Sequence, residues 1–165
     1  MEPKMRAGIL TVSDKASRGE RVDTSGPALR EILEAAGAEI VRTALVPDDQ
    51  EEIAAVLIAW SDEGLDLVLT TGGTGFSPRD WTPEATKIVL DRETPGISEA
   101  IRAAGLGKTR TAMLSRAVSG IRKSTLIINL PGSEKSVREG LAAVIDVLPH
   151  AVEVLRGGAG DCAKK

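Results

Sequence analysis

Short apolar runs alternate with helical segments along this chain, and that alternation constrains the fold more than any other feature. Runs rich in Ile, Leu, Val and Thr at residues 6–12, 65–71 and 125–130 indicate buried strands, and a further strand is predicted at 39–46. Strands that alternate with helices form βαβ units. We therefore expect an α/β fold of three layers, in which a mostly parallel sheet carries helices on both faces.

Capping residues, prolines and glycines mark the ends of the predicted helices. Thr82 is the expected N-cap of one helix, with Pro83 directly after it. Residues 105–123 are too polar for a core strand and are predicted to form an active-site loop or a short hairpin. Helices are expected from Ser25 to Gly37, from 47–49 to Gly64, at 82–90, at 95–105 and as one long helix from about 134 to 155.

Length and composition narrow the class of protein. The 165 residues fit one domain, predicted at 1–156, followed by a flexible tail at 157–165. A formal net charge of -3 argues against a broad nucleic-acid-binding face. The chain shows neither the ~20 consecutive apolar residues of a membrane span nor a signal-peptide core, so no membrane partner is expected. The single cysteine, Cys162, forms no internal disulfide, which fits a cytoplasmic protein.

Four polar or glycine-rich segments come directly after predicted strands. In open parallel sheets, ligands bind beyond the carboxyl ends of the strands. We therefore expect these segments to converge on one pocket, and their convergence carries more weight than any single motif. The segments are Ser13-Asp14, Pro47-Asp48, Gly72–Asp80 and Pro131–Ser133.

The sequence TTGGTG at 70–75 is the most informative of these segments. Glycines allow a positive φ and bring bare backbone N–H groups close to an anion, so this turn can cradle a phosphate. The same turn can also be no more than a tight connection between a strand and a helix. It is neither a Walker A loop nor a GxGxxG sequence, so neither nucleotide-binding fingerprint applies.

Two aspartates are candidates for the chemistry. Asp48 follows the second strand, and Asp80 precedes the predicted cap at Thr82. Each can be a capping or dipole partner of the next helix. Each can also position Mg²⁺ on a nucleotide, because Mg²⁺ binds one or two carboxylates together with phosphate oxygens. Trp81, beside Asp80, can flank a ring-shaped ligand or pack against a neighbouring subunit.

Further anion contacts are predicted around the last strand. Residues 131–133 begin the C-terminal helix, whose free N–H groups favour negative charge, and Lys135 adds a positive charge. Plain helix capping is the alternative for this turn. Arg116, next to Ser115, can bind a phosphate with two hydrogen bonds or can be an ordinary surface residue.

Taken together, these segments resemble the MogA/MoaB family of molybdenum cofactor biosynthesis. The resemblance covers nearly the whole chain and is greatest to the molybdopterin adenylyltransferase branch. The long block at 69–86 is far more specific than a bare glycine loop. The matching stretches are ILTVSD at 9–14, DTSG at 23–26, VPDD at 46–49, LTTGGTGFSPRDWTPEAT at 69–86, RETPG at 92–96 and SRAVSGIRKSTLIINLPGSEKS at 115–136.

The resemblance implies a reaction and an assembly. The terminal phosphate of molybdopterin attacks the α-phosphate of Mg-ATP, which gives adenylylated molybdopterin and pyrophosphate. A homotrimer is implied, as is a downstream molybdenum insertase that takes the product. The alternative is a non-catalytic MoaB-type protein that holds molybdopterin or hands it on.

The resemblance also implies roles for particular residues. Asp48 and Asp80 match the two functionally important aspartates of the family, and their implied role is to organise Mg²⁺ and ATP for the transfer. With Thr82, Arg116 and Lys135 added from the local sequence, the residues predicted to bind substrate and nucleotide are Ser13, Gly72, Gly73, Thr74, Gly75, Thr82, Ser115, Arg116, Pro131, Gly132, Ser133 and Lys135.

Overall fold

Six strands form one mixed sheet within residues 3–158, the part of the chain that the computed structural model describes. The strands are β1 (Arg6–Val12), β2 (Glu39–Val46), β3 (Leu67–Thr71), β4 (Arg92–Glu93), β5 (Ser119–Arg122) and β6 (Thr125–Leu130). Their order across the sheet is β2-β1-β3-β6-β5-β4. The strands β2, β1, β3 and β6 run parallel, whereas β5 is antiparallel to β6 and β4 is antiparallel to β5.

Helices cover both faces of this sheet. They are α1 (Asp14–Ser17), α2 (Ser25–Ala35), α3 (Gln50–Asp62), α4 (Thr82–Lys87), α5 (Pro95–Leu106), α6 (Glu134–Ala142) and α7 (Leu148–Leu155), with a 3₁₀ turn at Arg110–Leu114. Apolar residues of α2, α5, α6 and α7 pack on one face, and those of α3 and α4 pack on the other. Successive strand residues point to opposite faces, so Ile9 lies in the first core and Leu10 in the second. The predicted three-layer α/β fold is confirmed.

Three local predictions are wrong for identifiable reasons. The long helix expected at 134–155 is two helices, since α6 ends at Ala142 and α7 begins at Leu148, and Pro149 lies in the first turn of α7, where its missing backbone N–H costs no helical hydrogen bond. The polar segment at 13–24, where the sequence predicts no helix, contains α1, whose N-cap is Ser13. Thr82 is the first residue of α4 and not its cap, and α4 ends at Lys87.

The polar region at 105–123 supplies β5, the first strand of a hairpin with β6. A hairpin is one of the two structures predicted for this region. The strands β5 and β6 pair antiparallel from Ser119↔Ile128 to Arg122↔Thr125. Lys123, with a φ of 52, makes the turn between them. The 3₁₀ turn at Arg110–Leu114, before β5, lines a cavity that is described below, and its role as an active-site loop stays a prediction.

Two sequence predictions concern residues beyond the described range. The predicted tail at 157–165 lies outside it from residue 159 onward, and Cys162 lies outside it as well. Across residues 3–158, none of the helices combines the length and the apolar character that a membrane crossing requires.

Candidate active site

The four predicted segments meet at one edge of the sheet. Val12 is paired with Val46, Thr11 with Thr71, and Thr71 with Leu130, so four parallel strands end in one row. The chain leaves each of these strand ends into one of the polar segments. This alignment follows from the parallel register and accounts for the convergence that the sequence predicts.

Two adjoining cavities open along this row of strand ends. The first, the strand-end cavity, has a volume of about 310 Å³ and is lined by Ser13, Asp48, Gly72 and others. The second, the loop cavity, has a volume of about 390 Å³ and lies against the 3₁₀ turn and α5. Both cavities are lined by Gly73, Asp80, Gly132 and Ser133, whereas Thr74, Gly75, Ser115 and Pro131 line only the loop cavity.

The glycine turn, at Gly72–Gly75, forms the wall between the two cavities. Gly72 has a φ of 99, and a Cβ atom at this position would lie 2.1 Å from the carbonyl oxygen of Val12. The Gly72 N–H donates to the carbonyl of Leu130 at 3.1 Å. Only glycine allows the chain to pass so close to the ends of β1 and β6 with this backbone conformation.

Asp48 is held at the strand-end cavity by Asp14. The backbone N–H of Asp14 donates to Asp48 Oδ2 at 2.9 Å, and the N–H of Asp48 donates to Asp14 Oδ1 at 3.0 Å. Arg79 in turn donates to both carboxylate oxygens of Asp14, from Nε at 3.0 Å and from Nη2 at 2.9 Å. The capping alternative for Asp48 is wrong, because the side chain of Asp49 caps α3.

Burial and neighbouring groups shift the pKa values of Asp48 and Asp14 in opposite directions. Burial, and then the negative charges of Asp14 and Asp80, raise the pKa of Asp48, although the hydrogen bond from the Asp14 backbone opposes the shift. The hydrogen bonds from Arg79 lower the pKa of Asp14. Asp48 and Asp80 therefore repel each other when both are ionised, and a cation bound between them would relieve that repulsion.

Asp48→Asn is expected to be more stable than the wild type at about pH 7. A carboxyl with a raised native pKa binds its proton more tightly in the native state, so its contribution to stability falls as the pH rises through the native pKa. Asparagine keeps the acceptor oxygen and does not ionise. The difference in unfolding free energy between Asp48→Asn and the wild type should therefore shrink as the pH falls below the usual pKa range of aspartate. Urea unfolding of both proteins at two pH values measures this difference.

Asp49→Asn is the control for this measurement. Asp49 is exposed, and asparagine caps helices as well as aspartate does. We expect no comparable gain for Asp49→Asn near pH 7. The prediction is that the ionised Asp48 carboxylate destabilises the native state. An equal gain in both variants, or a wild type that is more stable than Asp48→Asn at neutral pH, would contradict it.

Asp80 lies where the two cavities meet. Its Oδ2 accepts from the Ser77 N–H at 3.0 Å, and its own N–H donates to the Ser77 carbonyl at 2.9 Å. Its side chain therefore caps the turn at 77–80, and α4 has no side-chain cap. A Cβ atom at Gly75 would lie 3.0 Å from Asp80 Oδ2, which places this carboxylate beside the glycine turn.

Thr82 contributes a buried hydroxyl beneath the glycine turn. Its side chain is fully buried, and its Oγ1 has no hydrogen-bond partner within the described part of the chain. A Cβ atom at Gly73 would lie 2.3 Å from this Oγ1 and 3.0 Å from Asp48 Oδ1. The hydroxyl and the carboxylate therefore border the same small space. A buried polar group without a partner is unfavourable by about 1–3 kcal/mol, so a partner for this hydroxyl would stabilise the site.

A family model described as "Probable molybdopterin binding domain" matches residues 8–150. The chain belongs to this family. The resemblance predicted from the sequence is thereby confirmed at the level of the family.

Solved structures and curated relatives agree with this family. A structure of the molybdopterin biosynthesis enzyme MoaB from Thermus thermophilus is 56% identical, with a TM-score of 0.88 over 93% of this chain and 97% of that one. A molybdopterin adenylyltransferase of Helicobacter pylori (strain J99) is 45% identical over 157 residues, which are 91% of this chain and 87% of the relative.

Some relatives are much longer. A "Molybdenum cofactor biosynthesis bifunctional protein" of Chlorobaculum tepidum is 38% identical over 152 residues, which are 92% of this chain and 49% of the relative. The chain spans 23% and 25% of two further relatives, from Dictyostelium discoideum and Drosophila melanogaster. The molybdopterin-binding domain thus also occurs as one part of larger proteins.

Three of the predicted binding residues of this molybdopterin-binding domain, Thr82, Arg116 and Lys135, do not line the cavities. Lys135 has a side chain that is 82% exposed and lies 4.0 Å from Glu139, so it points along the surface of α6. Arg116 donates from Nε to the Gly75 carbonyl at 2.9 Å and from Nη2 to the Asp80 carbonyl at 2.8 Å. It also pairs with Glu84, so its guanidinium is turned toward the protein.

Four residues around the cavities were not predicted as site residues, although Asp14 belongs to a segment that was expected at the pocket. Asp23, which lines the strand-end cavity, accepts from Thr11 Oγ1 at 2.8 Å and from the Gly26 N–H at 3.0 Å. The DTSG stretch carries a local signal for this turn, and Asp14 follows Ser13 directly. Arg102 and Glu84 have no local signal, because their partners lie 13 and 32 residues away.

Proposed function

We propose that this chain is a molybdopterin adenylyltransferase, which transfers AMP from Mg-ATP to the terminal phosphate of molybdopterin. The observation that carries the proposal is the pair of adjoining cavities that share Asp80, the glycine turn and Ser133. Two phosphorylated substrates that react with each other need two such pockets with a common wall. The name of the Helicobacter pylori relative supports the same reaction.

In the proposed reaction, an oxygen of the molybdopterin phosphate attacks the α-phosphorus of ATP. The bond between that phosphorus and the oxygen bridging to the β-phosphate breaks, and pyrophosphate leaves. Such a transfer depends on positioning and charge stabilisation more than on a nucleophilic side chain. The backbone of the turn at Gly72–Gly75 and the N-terminus of α6 at Ser133 are proposed to hold the phosphates.

Asp48 and Asp80 are proposed to hold Mg²⁺ together with the phosphates of ATP. When bound, Mg²⁺ neutralises charge on the phosphates. Two carboxylates that repel each other and an orphaned Thr82 hydroxyl fit a hard cation that prefers oxygen ligands. Ser13, Ser115, Pro131 and Gly132 remain predicted contacts to the substrates.

The wider assignments are proposals of the same kind. A homotrimer and a location in the cytoplasm are what the family resemblance and the sequence imply. A downstream molybdenum insertase is proposed to consume the adenylylated product. The bifunctional relative of Chlorobaculum tepidum supports such a coupling, because there the domain accounts for only about half of a longer chain.

The test is direct transfer of a labelled nucleotide. The purified chain is incubated with molybdopterin, Mg²⁺ and ATP labelled at the α-phosphate, and labelled pterin and pyrophosphate are measured. We expect one pyrophosphate per labelled pterin and loss of both products when a chelator removes Mg²⁺. Molybdopterin binding with no transfer at saturating ATP would favour the non-catalytic binding protein instead.

A further inference from the structure

Arg116 connects two parts of the proposed active-site wall, the end of the glycine turn and the backbone at Asp80. Its backbone N–H donates to the Thr74 carbonyl at 2.7 Å, and its Nε donates to the Gly75 carbonyl at 2.9 Å. Its Nη2 donates to the Asp80 carbonyl at 2.8 Å. One residue therefore fixes the end of the glycine turn and the backbone that carries the Asp80 carboxylate.

Glu84 completes the arrangement from the first turn of α4. Both of its carboxylate oxygens receive hydrogen bonds from the Arg116 guanidinium. Burial raises the pKa of Glu84, but the bonds from Arg116 and from the backbone outweigh it, so the pKa lies below its usual value. Glu84 is therefore ionised, and its pair with Arg116 ties the glycine turn and Asp80 to the helix that follows them.

The backbone that carries Arg116 is itself anchored. Arg102 of α5 donates from Nη1 to the Ser115 carbonyl at 2.8 Å and reaches the Ala117 carbonyl at 3.4 Å. The residues on either side of Arg116 are thus held from the far wall of the loop cavity. An arginine whose donors are spent on two carbonyls and a carboxylate is oriented by the protein before any ligand arrives.

We infer that Arg116 and Glu84 form a clamp that positions Asp80 and the glycine turn for AMP transfer, and that Arg116 is a positioning residue and not a phosphate ligand. The inference rests on the proposed function for its catalytic consequence. Its structural part, that the pair holds residues 72–80, stands independently of the reaction. A displacement of about 1 Å at a reacting group can lower a rate by about 10²-fold, so a loosened clamp should reduce kcat.

The test compares Arg116→Lys, Glu84→Gln and the double variant with the wild type. Lysine keeps the positive charge but lacks the planar fork that reaches three acceptors, and glutamine keeps the shape of Glu84 without its charge. We expect each single variant to lower kcat by about 10-fold to 10²-fold, with less than about a 3-fold change in KM for ATP. Because the two residues act as one unit, the kcat of the double variant should be within about 3-fold of the kcat of the less active single variant.

A second readout does not depend on catalysis. Hydrogen exchange of peptides covering 72–80 should be faster in both single variants than in the wild type, by about 10-fold. The matched control is the pair Arg42 and Glu63, whose side chains meet at 2.7 Å with exposures of 50% and 30%. Arg42→Lys and Glu63→Gln should leave both kcat and exchange at 72–80 unchanged.

The outcomes separate this inference from the proposed function. Unchanged exchange at 72–80 in both Arg116→Lys and Glu84→Gln overturns the clamp, whatever the activity. The clamp is also overturned if Arg116→Lys raises the KM for ATP while Glu84→Gln keeps the kcat and KM of the wild type. That result would make Arg116 a phosphate ligand. If the wild type transfers no AMP, the proposed function fails, and faster exchange in both variants still supports the clamp as a structural device.

Discussion

Asp80→Asn is expected to lower kcat for AMP transfer by about 10²-fold to 10³-fold, the range found when one preorganised electrostatic group is removed from an active site. The carboxylate lies where the strand-end cavity and the loop cavity meet, so its charge acts on both proposed substrates. Asparagine keeps an oxygen that accepts from the Ser77 N–H. The turn at 77–80 and the unfolding temperature should therefore remain close to those of the wild type.

Asp91→Asn is the control that isolates the position of the charge. Asp91 also accepts a hydrogen bond from a backbone N–H, that of Lys123 at 2.7 Å, but it lines neither cavity. We expect Asp91→Asn to keep the wild-type kcat. A wild-type rate in Asp80→Asn would remove this residue from the mechanism, and an equal loss in both variants would show a general effect of lost charge.

Gly72→Ala is expected to lower the free energy of unfolding by about 3 kcal/mol. The φ of 99 is unfavourable for alanine, and the new Cβ atom would lie 2.1 Å from the backbone oxygen of Val12. Neither the strand end nor the turn can move without disturbing the hydrogen bond from Gly72 to Leu130. Urea unfolding measures the loss, which corresponds to a melting temperature lower by about 6–12 °C for a chain of this length.

Gly19→Ala separates the two causes of that instability. Gly19 also has a positive φ, of 74, but a Cβ atom there would meet nothing within 4 Å. This variant should lose only about 1 kcal/mol, from backbone conformation alone. Equal losses at Gly19 and Gly72 would mean that the close approach to Val12 adds nothing, and that the turn is less tightly packed than the distances indicate.

The strands were the most predictable part of the fold. The strands β1, β2 and β6 begin and end where the apolar runs at 6–12, 39–46 and 125–130 do, and β3 starts two residues after its run. The runs of β1, β3 and β6 reflect burial on both faces of the sheet, whereas β2 is an edge strand whose residues are mostly exposed or half-buried. The helix after residue 134 is predicted as continuous because its spacing stays helical, whereas α6 ends at Ala142 and α7 begins at Leu148, with Pro149 in its first turn.

The position of the candidate site in the fold was predictable from the sequence, but the contacts between its side chains were not. Because parallel strands end at one edge, the segments after β1, β2, β3 and β6 had to come together, and they line two cavities there. The direction of each side chain could not be predicted in this way. Arg116 faces the backbone of the loop, Asp14 and Arg79 hold Asp48, and the Thr82 hydroxyl lies beneath the turn. Their roles toward the substrates stay predictions.

The sequence by itself determined the layers of the fold, the edge of the sheet where the candidate site lies, and the family. These follow from local apolar periodicity, from the positions of glycine and proline, and from the long motif at 69–86. Only the tertiary structure decided which polar groups face a ligand and which face each other. The pair Arg116–Glu84 spans 32 residues and Asp14–Asp48 spans 34, and contacts over such separations depend on how the strands are ordered in the sheet, which no local pattern records.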